Sequence, residues 1–240
     1  MIRVTEIKSV KNPVITAAAE LKKNPSESAF LLEGDKFIRD LPKESIVKIF
    51  TTDAEKYADV IEKSPESYLV SQAAMDKISD AVSQSHLCAV IRKLNPEQPK
   101  RLLLLDGIQD PGNVGTIIRT AYAFGYGVVC GTGCANPFSP KTVRSSVGAV
   151  ASAYVIRAEL CETIRRLKKE GYAVFGSALD EKALVLTKTD DEKVAVVIGS
   201  EGSGMSEAVR KLCDRTFYIP IENVESLNAA VAAAIMMYGV

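Results

Sequence analysis

Histidine is nearly absent from this chain, and its cysteines are not arranged in pairs. The 240 residues contain one histidine, His86, and five scattered cysteines with no C-x-x-C motif. Zinc sites usually combine Cys and His ligands at short, regular spacing, so we expect no metal centre. Scattered thiols, odd in number, favour reduced cysteines in a cytoplasmic protein over a disulfide framework.

Long apolar runs and targeting segments are also lacking. The Ala-rich stretch 229–237 is the longest candidate, and it is far shorter than the ~20 residues that span a bilayer. The N-terminus has no apolar core of the kind found in secretory signals. We therefore expect a cytoplasmic protein that does not insert into a membrane.

Net charge is the third absence. The 30 Lys and Arg residues balance 30 Asp and Glu residues, so the formal net charge is zero. Domains that bind nucleic acid mainly through long-range electrostatics are usually basic. A nucleic-acid surface on this chain would therefore have to be a local basic patch.

The order of apolar and polar segments predicts two α/β domains. A polar stretch with two prolines, residues 93–100, is the best candidate for a linker. Residues 1–95 alternate short helix-like and strand-like segments. Residues 96–240 begin with a fully apolar strand, 102–105, as expected for a parallel sheet that is covered on both faces. The alternation that follows predicts a doubly wound parallel α/β domain.

A first polar segment, residues 106–119, follows that apolar strand. Ligands of open α/β sheets bind at the carboxyl ends of the strands, which is where this segment begins. Gly112 and Gly115 permit close approach to the backbone, and Asn113 is expected to cap the next helix. Arg119 lies farther along that helix. The simpler alternative is that Asn113 is only a cap and Arg119 only a solvated charge.

A second segment, residues 199–204, places Glu201 among three glycines after a buried strand. Its glycines do not follow the dinucleotide-binding pattern, and no Lys-Ser or Lys-Thr pair makes it a phosphate-binding loop. A carboxylate here would repel pyrophosphate but would suit a cationic or hydroxyl-bearing ligand. The simpler alternative is a glycine-rich turn with an exposed Glu.

A third segment, residues 217–235, joins a strand-like stretch to an Ala-rich helix through a short polar loop. Ser226 and Asn228 precede the helix, where side-chain oxygens can accept hydrogen bonds from unpaired backbone N–H groups. A helix so rich in alanine must pack closely against its neighbours. The segment therefore predicts a turn at which a ligand can contact backbone.

Taken in order, the three segments resemble the signature motifs of the SpoU/TrmH family of RNA ribose 2′-O-methyltransferases, within the SPOUT superfamily. The first motif is matched by Asn113, Gly115 and Arg119. The second, Gly-Asn/Ser-Glu-x-x-Gly, is matched by residues 199–204. The third, Ile-Pro-Met followed by Ser-Leu-Asn, is matched within residues 219–228, with Ile221 in place of the usual Met. The match covers residues 102–238, and the ordered set is specific.

The resemblance implies a fold and an assembly. Residues 96–240 would form a parallel-sheet α/β methyltransferase domain with a deep trefoil knot, which is rare in proteins. Residues 1–95 resemble the small α/β RNA-binding domain that often precedes it, mainly in the stretch 30–34. The family also implies a homodimer with its active site near the subunit interface.

The resemblance further implies S-adenosylmethionine as the methyl donor, without a metal ion. Gly199, Ile219 and Leu227 match cofactor-contacting positions, and Ala178 is expected to frame the methionine end. Family precedent gives the role of general base to an arginine, here Arg119, and we expect Asn113, Glu201, Ser226 and Asn228 to be the other catalytic residues. A guanidinium stays protonated, so we expect Arg119 to stabilise the developing oxyanion rather than act as a base.

The expected substrate is RNA, with ribosomal RNA favoured over transfer RNA by the two-domain layout. Because the chain is neutral, RNA affinity should depend on a local patch. The candidate residues are Lys8, Lys11, Lys22, Lys23, Lys141 and Arg144. A noncatalytic RNA- or ribosome-binding relative and a nicotinamide-dependent enzyme remain as alternatives.

Overall fold

The computed structural model describes residues 4–79, 84–178 and 183–240, which divide into two compact units. The first unit comprises the described residues up to Asn95 together with Phe138–Ser152, and the second comprises Pro96–Pro137 and the described part of Ala153–Val240. Sequence predicted one cut after residue 95. In the structure, the first unit also contains residues 138–152.

Helices and strands alternate along the described residues. The helices are α1 (Pro13–Lys23), α2 (Asp35–Asp40), α3 (Ala58–Ile61), α4 (Gln72–Ile78), α5 (Pro111–Ala123), α6 (Pro140–Ser145), α7 (Leu160–Lys169), α8 (Glu207–Arg210) and α9 (Ala229–Gly239). The strands are β1 (Thr5–Ile7), β2 (Phe30–Glu33), β3 (Ile46–Thr51), β4 (Ser67–Val70), β5 (Leu87–Ile91), β6 (Arg101–Asp106), β7 (Gly127–Cys130), β8 (Val155–Arg157), β9 (Ala173–Ser177), β10 (Leu184–Val185), β11 (Val194–Gly199) and β12 (Arg215–Tyr218). In this part of the chain, no helix has the length and apolar character needed to cross a bilayer.

The first unit is built on a mixed sheet with strand order β1-β4-β3-β5-β2. Strand β4 is parallel to β1 and β3, whereas β5 is antiparallel to β2 and β3. Helix α1 begins as predicted, with Pro13 in its first turn and the Asn12 side chain accepting a hydrogen bond from the Val14 N–H at 2.9 Å. Its buried residues, Ile15 and Ala18, join the core of this unit.

Residues 138–152 complete the first unit through close packing. The Phe138 ring lies 5.5 Å from that of Phe30, and both side chains are buried. Helix α6 packs against β2, with Thr142 buried. The Leu94 N–H donates to the Ala151 carbonyl at 2.9 Å. A segment that is distant in sequence therefore supplies part of this unit's core.

The second unit contains a wholly parallel sheet with strand order β10-β12-β9-β11-β6-β7-β8. Its central strands, β6 and β11, are almost fully buried, as expected for apolar strands covered on both faces. The predicted parallel α/β fold is confirmed. Two short elements were not predicted, β1 and the edge strand β10, because strands of two or three residues are too short to show alternation.

Candidate active site

A pocket of about 430 Å³ lies where loops from neighbouring parallel strands converge in the second unit. Carboxyl ends of parallel strands share one edge of a sheet, so the loops after β9, β11 and β12 meet there. The described lining residues are Ser177, Ala178, Ile198, Gly199, Ser200, Glu201, Ser203, Gly204, Met205, Arg210, Ile219, Ile221, Ser226, Leu227, Ala229 and Ala232. The wall therefore combines backbone, small polar side chains and aliphatic side chains.

The loop after β11 is closed on itself by backbone hydrogen bonds. The Ser200 N–H donates to the Gly204 carbonyl at 3.1 Å, and the Gly204 N–H donates to the Ser200 carbonyl at 2.9 Å. Gly204 has a left-handed φ of 65°, which glycine adopts without strain. A Cβ atom on Gly199 would lie 2.1 Å from the Gly204 carbonyl carbon and the Met205 nitrogen. Glycine at 199 is therefore a steric requirement of the loop.

Asp106 ties this loop to the central strand of the sheet. It ends β6 and is paired in register with Gly199 of β11. Its Oδ2 accepts a hydrogen bond from the Ser206 N–H at 2.7 Å, at the start of α8. No local pattern in the sequence reveals this role of Asp106, because the contact joins residues that are 100 positions apart.

Three predicted catalytic residues form a continuous hydrogen-bonded chain. The Asn113 Nδ2 donates to Glu201 Oε1, and the Asn228 Nδ2 donates to Asn113 Oδ1 at 3.0 Å. Asn228 Oδ1 in turn accepts from the Ala230 N–H at 2.9 Å, which caps α9. Each amide both donates and accepts, so the network fixes the orientation of the Glu201 carboxylate relative to two helix starts.

The predicted capping role of Asn113 is wrong. Asp110 is the N-cap of α5, and its Oδ2 accepts from the Asn113 N–H at 2.9 Å. Pro111 occupies the first helical turn, where its fixed φ and missing N–H are favourable. Asn113 therefore lies inside the first turn, which leaves its side chain available for Glu201 and Asn228.

The four residues predicted to contact the cofactor all line the pocket: Ala178, Gly199, Ile219 and Leu227. Glu201 and Ser226 line it as well. The other predicted catalytic residues, Asn113, Asn228 and Arg119, are not among the described residues that line the pocket. Asn113 and Asn228 are connected to it through Glu201, whereas Arg119 is exposed on α5. Met205 and Arg210 were not singled out from the sequence, and only their position around the pocket identifies them.

The basic residues predicted to bind RNA all belong to the first unit. They are Lys8, Lys11, Lys22, Lys23, Lys141 and Arg144. Lys8 and Lys23 form exposed ion pairs with acidic neighbours at 3.5 and 3.9 Å, which contribute little to stability. The Lys22 Nζ donates to the Ser79 carbonyl at 2.7 Å, so this side chain also joins α1 to the end of α4.

Large apolar side chains are exposed on α5, at its C-terminal end and on α9. They are Tyr122, Phe124, Val231, Ile235 and Tyr238, and we call them the α5/α9 patch. The rings of Phe124 and Tyr238 are 6.3 Å apart. Tyr238 is 76% exposed, so most of this residue is accessible to solvent.

All five cysteines are free thiols. Burial raises the pKa of the Cys88 and Cys130 thiols strongly, and it raises the pKa of Cys213 to about 11. Among the residues described by the structure, no three His, Cys, Asp or Glu side chains are grouped so that they could hold a metal ion.

Comparison with known proteins identifies the family. Residues 100–238 match the model of the SpoU rRNA Methylase family. The chain is 34% identical, over 97% of its own length and 98% of the relative's, to the 23S rRNA (guanosine(2553)-2′-O)-methyltransferase RlmP of Bacillus subtilis (strain 168).

Solved structures agree with that assignment. An rRNA methyltransferase from Sinorhizobium meliloti is similar with a TM-score of 0.84 and 26% identity, covering 98% of this chain and 96% of that one. An AdoMet-bound rRNA methyltransferase structure from the same organism is similar with a TM-score of 0.82 and 25% identity, over the same shares. The chain belongs to the SpoU rRNA Methylase family.

Proposed function

We propose that this protein transfers a methyl group from S-adenosylmethionine to a ribose 2′-hydroxyl of RNA, and that its substrate is ribosomal RNA. The observation that carries the proposal is the single pocket in which Gly199, Ile219 and Leu227 converge beside the Asn113–Glu201–Asn228 network. Family membership and the RlmP relative support the reaction and the substrate class.

The pocket suits S-adenosylmethionine in size and chemistry. Its volume of about 430 Å³ lies within the usual range for small-molecule sites, roughly 300–1,000 Å³. Ile198, Ile219 and Leu227 supply apolar wall for an adenine ring, and the loop backbone at 199–204 supplies polar groups. The cofactor, when bound, supplies a methyl group activated by a positively charged sulfur, which the Glu201 carboxylate in the wall would favour.

The hydrogen-bonded network is proposed to position the reacting hydroxyl. Asn113 holds one carboxylate oxygen of Glu201, and Asn228 holds Asn113 while capping α9. Groups held in this way by helix starts lose little freedom when substrate binds. Alignment of reacting groups can contribute roughly 7–11 kcal/mol to lowering a barrier, so positioning is the main task of these residues.

Arg119 is proposed to face the target phosphate and the 2′-oxygen. Its guanidinium remains charged and can stabilise the negative charge that develops as the hydroxyl proton leaves. Arg119 and Tyr122 are three residues apart on α5 and therefore share one helix face. An interface formed by the α5/α9 patch would thus bring Arg119 to the boundary between two subunits.

A homodimer through the α5/α9 patch is the proposed assembly. Exposed aromatic and aliphatic residues clustered on two adjacent helices are typical of a protein–protein interface. Replacing Tyr238 by Glu should shift the protein from dimer to monomer in analytical ultracentrifugation. A wild-type protein that sediments as a monomer at micromolar concentration would contradict the assembly.

We also propose the deep trefoil knot that the family resemblance implies. In support, α9 packs against α5 and β11, and Gly239 at its end lies beside Leu186, which belongs to the connection between β9 and β11. A Cβ atom on Gly239 would lie only 2.5 Å from Leu186 Cδ2. A C-terminal helix held against that connection is what a knot would require. Single-molecule stretching should give a final chain length shorter than that of an unknotted chain.

The first unit is proposed to recognise RNA through local basic residues. Its candidates occur on α1, on α6 and in the chain before α1, and Lys141 and Arg144 are exposed. The double substitution Lys141→Glu and Arg144→Glu should weaken binding to all RNA sequences and lessen its salt dependence. A cytoplasmic location fits the free thiols and an rRNA substrate.

The decisive experiment maps ribose methylation in RNA from cells with and without this protein. We expect one 2′-O-methyl mark on ribosomal RNA to disappear without the protein and to return with the wild-type gene. The Arg119→Ala protein should fold normally and fail to restore the mark. A mark lost from transfer RNA instead would overturn the substrate, and unchanged methylation throughout would overturn the reaction.

A further inference from the structure

The pocket contains a positive charge that the reaction described above does not use. Among its described lining residues, the charged side chains are Glu201 and Arg210. Glu201 belongs to the loop after β11 and is held by Asn113. Arg210 comes from a different element, α8, and was not part of any sequence motif considered above. The pocket wall therefore contains one anionic and one cationic side chain, which belong to different structural elements.

Helix α8 is held by hydrogen bonds at both ends, so the backbone position of Arg210 is fixed. At its start, the Ser206 N–H donates to Asp106 Oδ2 at 2.7 Å. Just beyond its end, the Lys168 Nζ donates to the Leu212 carbonyl at 2.9 Å. Within the helix, Val209 is buried in the core of the second unit. These contacts fix the backbone that carries Arg210 beside the pocket.

The next residue on α8 has a different role. Lys211 forms an ion pair with Glu207 at 2.7 Å, and both side chains are more than 70% exposed. Successive helical residues are rotated by about 100°, so Lys211 and Arg210 point in different directions. Lys211 is not among the described residues that line the pocket, which makes it a matched control for the loss of a nearby positive charge.

We propose that Arg210 binds the carboxylate of the methionine part of S-adenosylmethionine. This inference rests on the proposed function and deepens it by assigning one end of the cofactor to one side chain. The adenosine part of that molecule is neutral, and its sulfonium and ammonium groups are cationic. The carboxylate is its only anionic group, so it is the group that a guanidinium in the wall can recognise, through paired N–H donors.

The test measures cofactor binding rather than activity. Isothermal titration calorimetry of the full chain would compare S-adenosylmethionine with decarboxylated S-adenosylmethionine, which lacks only the carboxylate. The wild-type protein should bind S-adenosylmethionine about 5- to 30-fold more tightly than the decarboxylated compound. This ratio lies between the contributions to affinity expected for an exposed ion pair and for a buried hydrogen bond to a charged group. The Arg210→Gln variant should bind S-adenosylmethionine more weakly than the wild type by that same factor, and it should bind the decarboxylated compound with the wild-type affinity.

Two further variants sharpen the comparison. Lys211→Gln should keep the wild-type preference, because it removes a neighbouring charge outside the pocket. Arg210→Lys should keep part of the preference, because it retains the charge without the paired donors. Equal losses for both ligands in Arg210→Gln would mean that the residue only supports the fold, and this would overturn the proposal.

The remaining outcomes are equally informative. Unchanged binding of S-adenosylmethionine by Arg210→Gln, with weaker RNA binding, would assign the residue to RNA phosphate and overturn the proposal. A wild-type protein that binds both ligands equally would also overturn it while leaving the proposed function intact. A wild-type protein that binds neither ligand would overturn the proposed function itself.

Discussion

Replacing Gly199 by Ala should open the loop that closes one side of the pocket. An added Cβ atom would lie 2.1 Å from two backbone atoms, those of Gly204 and Met205. Real Cβ contacts essentially never fall below 3.0 Å, so the backbone would have to move by roughly 1 Å. No flexible side chain can absorb this shift, because both obstructing atoms belong to the main chain.

The cost follows from the contacts that such a shift would break. The Ser200–Gly204 pair exchanges two backbone hydrogen bonds, each contributing about 0.5–1.5 kcal/mol. Their loss should lower the free energy of unfolding by about 1–3 kcal/mol. For a chain of this size that corresponds to a fall in Tm of about 2–12 °C. A 1 Å displacement of the pocket wall should also reduce methyl transfer by about 100-fold.

Gly202 provides the matched control within the same loop. A Cβ atom at this position meets no heavy atom within 4 Å. Gly202→Ala should therefore keep the wild-type Tm and the wild-type affinity for S-adenosylhomocysteine, whereas Gly199→Ala should lose at least tenfold in that affinity. Differential scanning calorimetry and isothermal titration calorimetry measure the two quantities. If both variants behave alike, the steric argument for Gly199 is wrong.

Three other perturbations test separate parts of the structure. Asn228→Ser should keep the N-cap of α9 and therefore the stability of the protein, because Ser is also a good capping residue. It should lower the rate of methyl transfer in single-turnover assays, because Ser cannot donate to Asn113 as the amide does. If the variant loses both stability and rate, the proposed positioning role of Asn228 is contradicted. Phe138→Ala should destabilise the first unit by about 3–5 kcal/mol in hydrogen exchange, whereas the exposed Phe124→Ala should not. Burial raises the pKa of Cys213 to about 11 from 9.0, so its contribution to stability is present below pH 9 and is lost as pH rises toward 11. Cys213→Ala should flatten that decline in Tm, and an unchanged pH profile would refute the assignment.

Much of the candidate site could be predicted because its residues occur in short motifs at strand ends. Gly199 ends β11, and Ile219 follows β12, so a parallel sheet brings both to one edge. The prediction that Asn113 caps α5 was wrong because Asp and Asn are both favourable N-cap residues and Asp110 lies only three residues earlier. Pro111 was the signal that places the first turn one residue after Asp110, and it could have been used.

Other features could not be predicted from local patterns. The contact between Asp106 and Ser206 joins residues on separate strand–loop units and depends on β6 and β11 being neighbours. Arg210 is one of many exposed helix charges in the sequence, and only the position of α8 beside the pocket distinguishes it. Residues 138–152 lie between two strands of the second unit in the chain, and their local pattern does not say which sheet they cover.

By itself, the sequence indicated the α/β architecture, the buried parallel strands and the three segments that carry the candidate site residues. These features depend on periodicity, on glycine and proline, and on helix caps, all of which act over a few residues. Tertiary structure alone decided that Phe138 packs with Phe30, that Asn113 joins Glu201 to Asn228, and that Arg210 reaches the pocket. Such contacts depend on strand order and packing between segments far apart in the chain, and no local pattern contains that information.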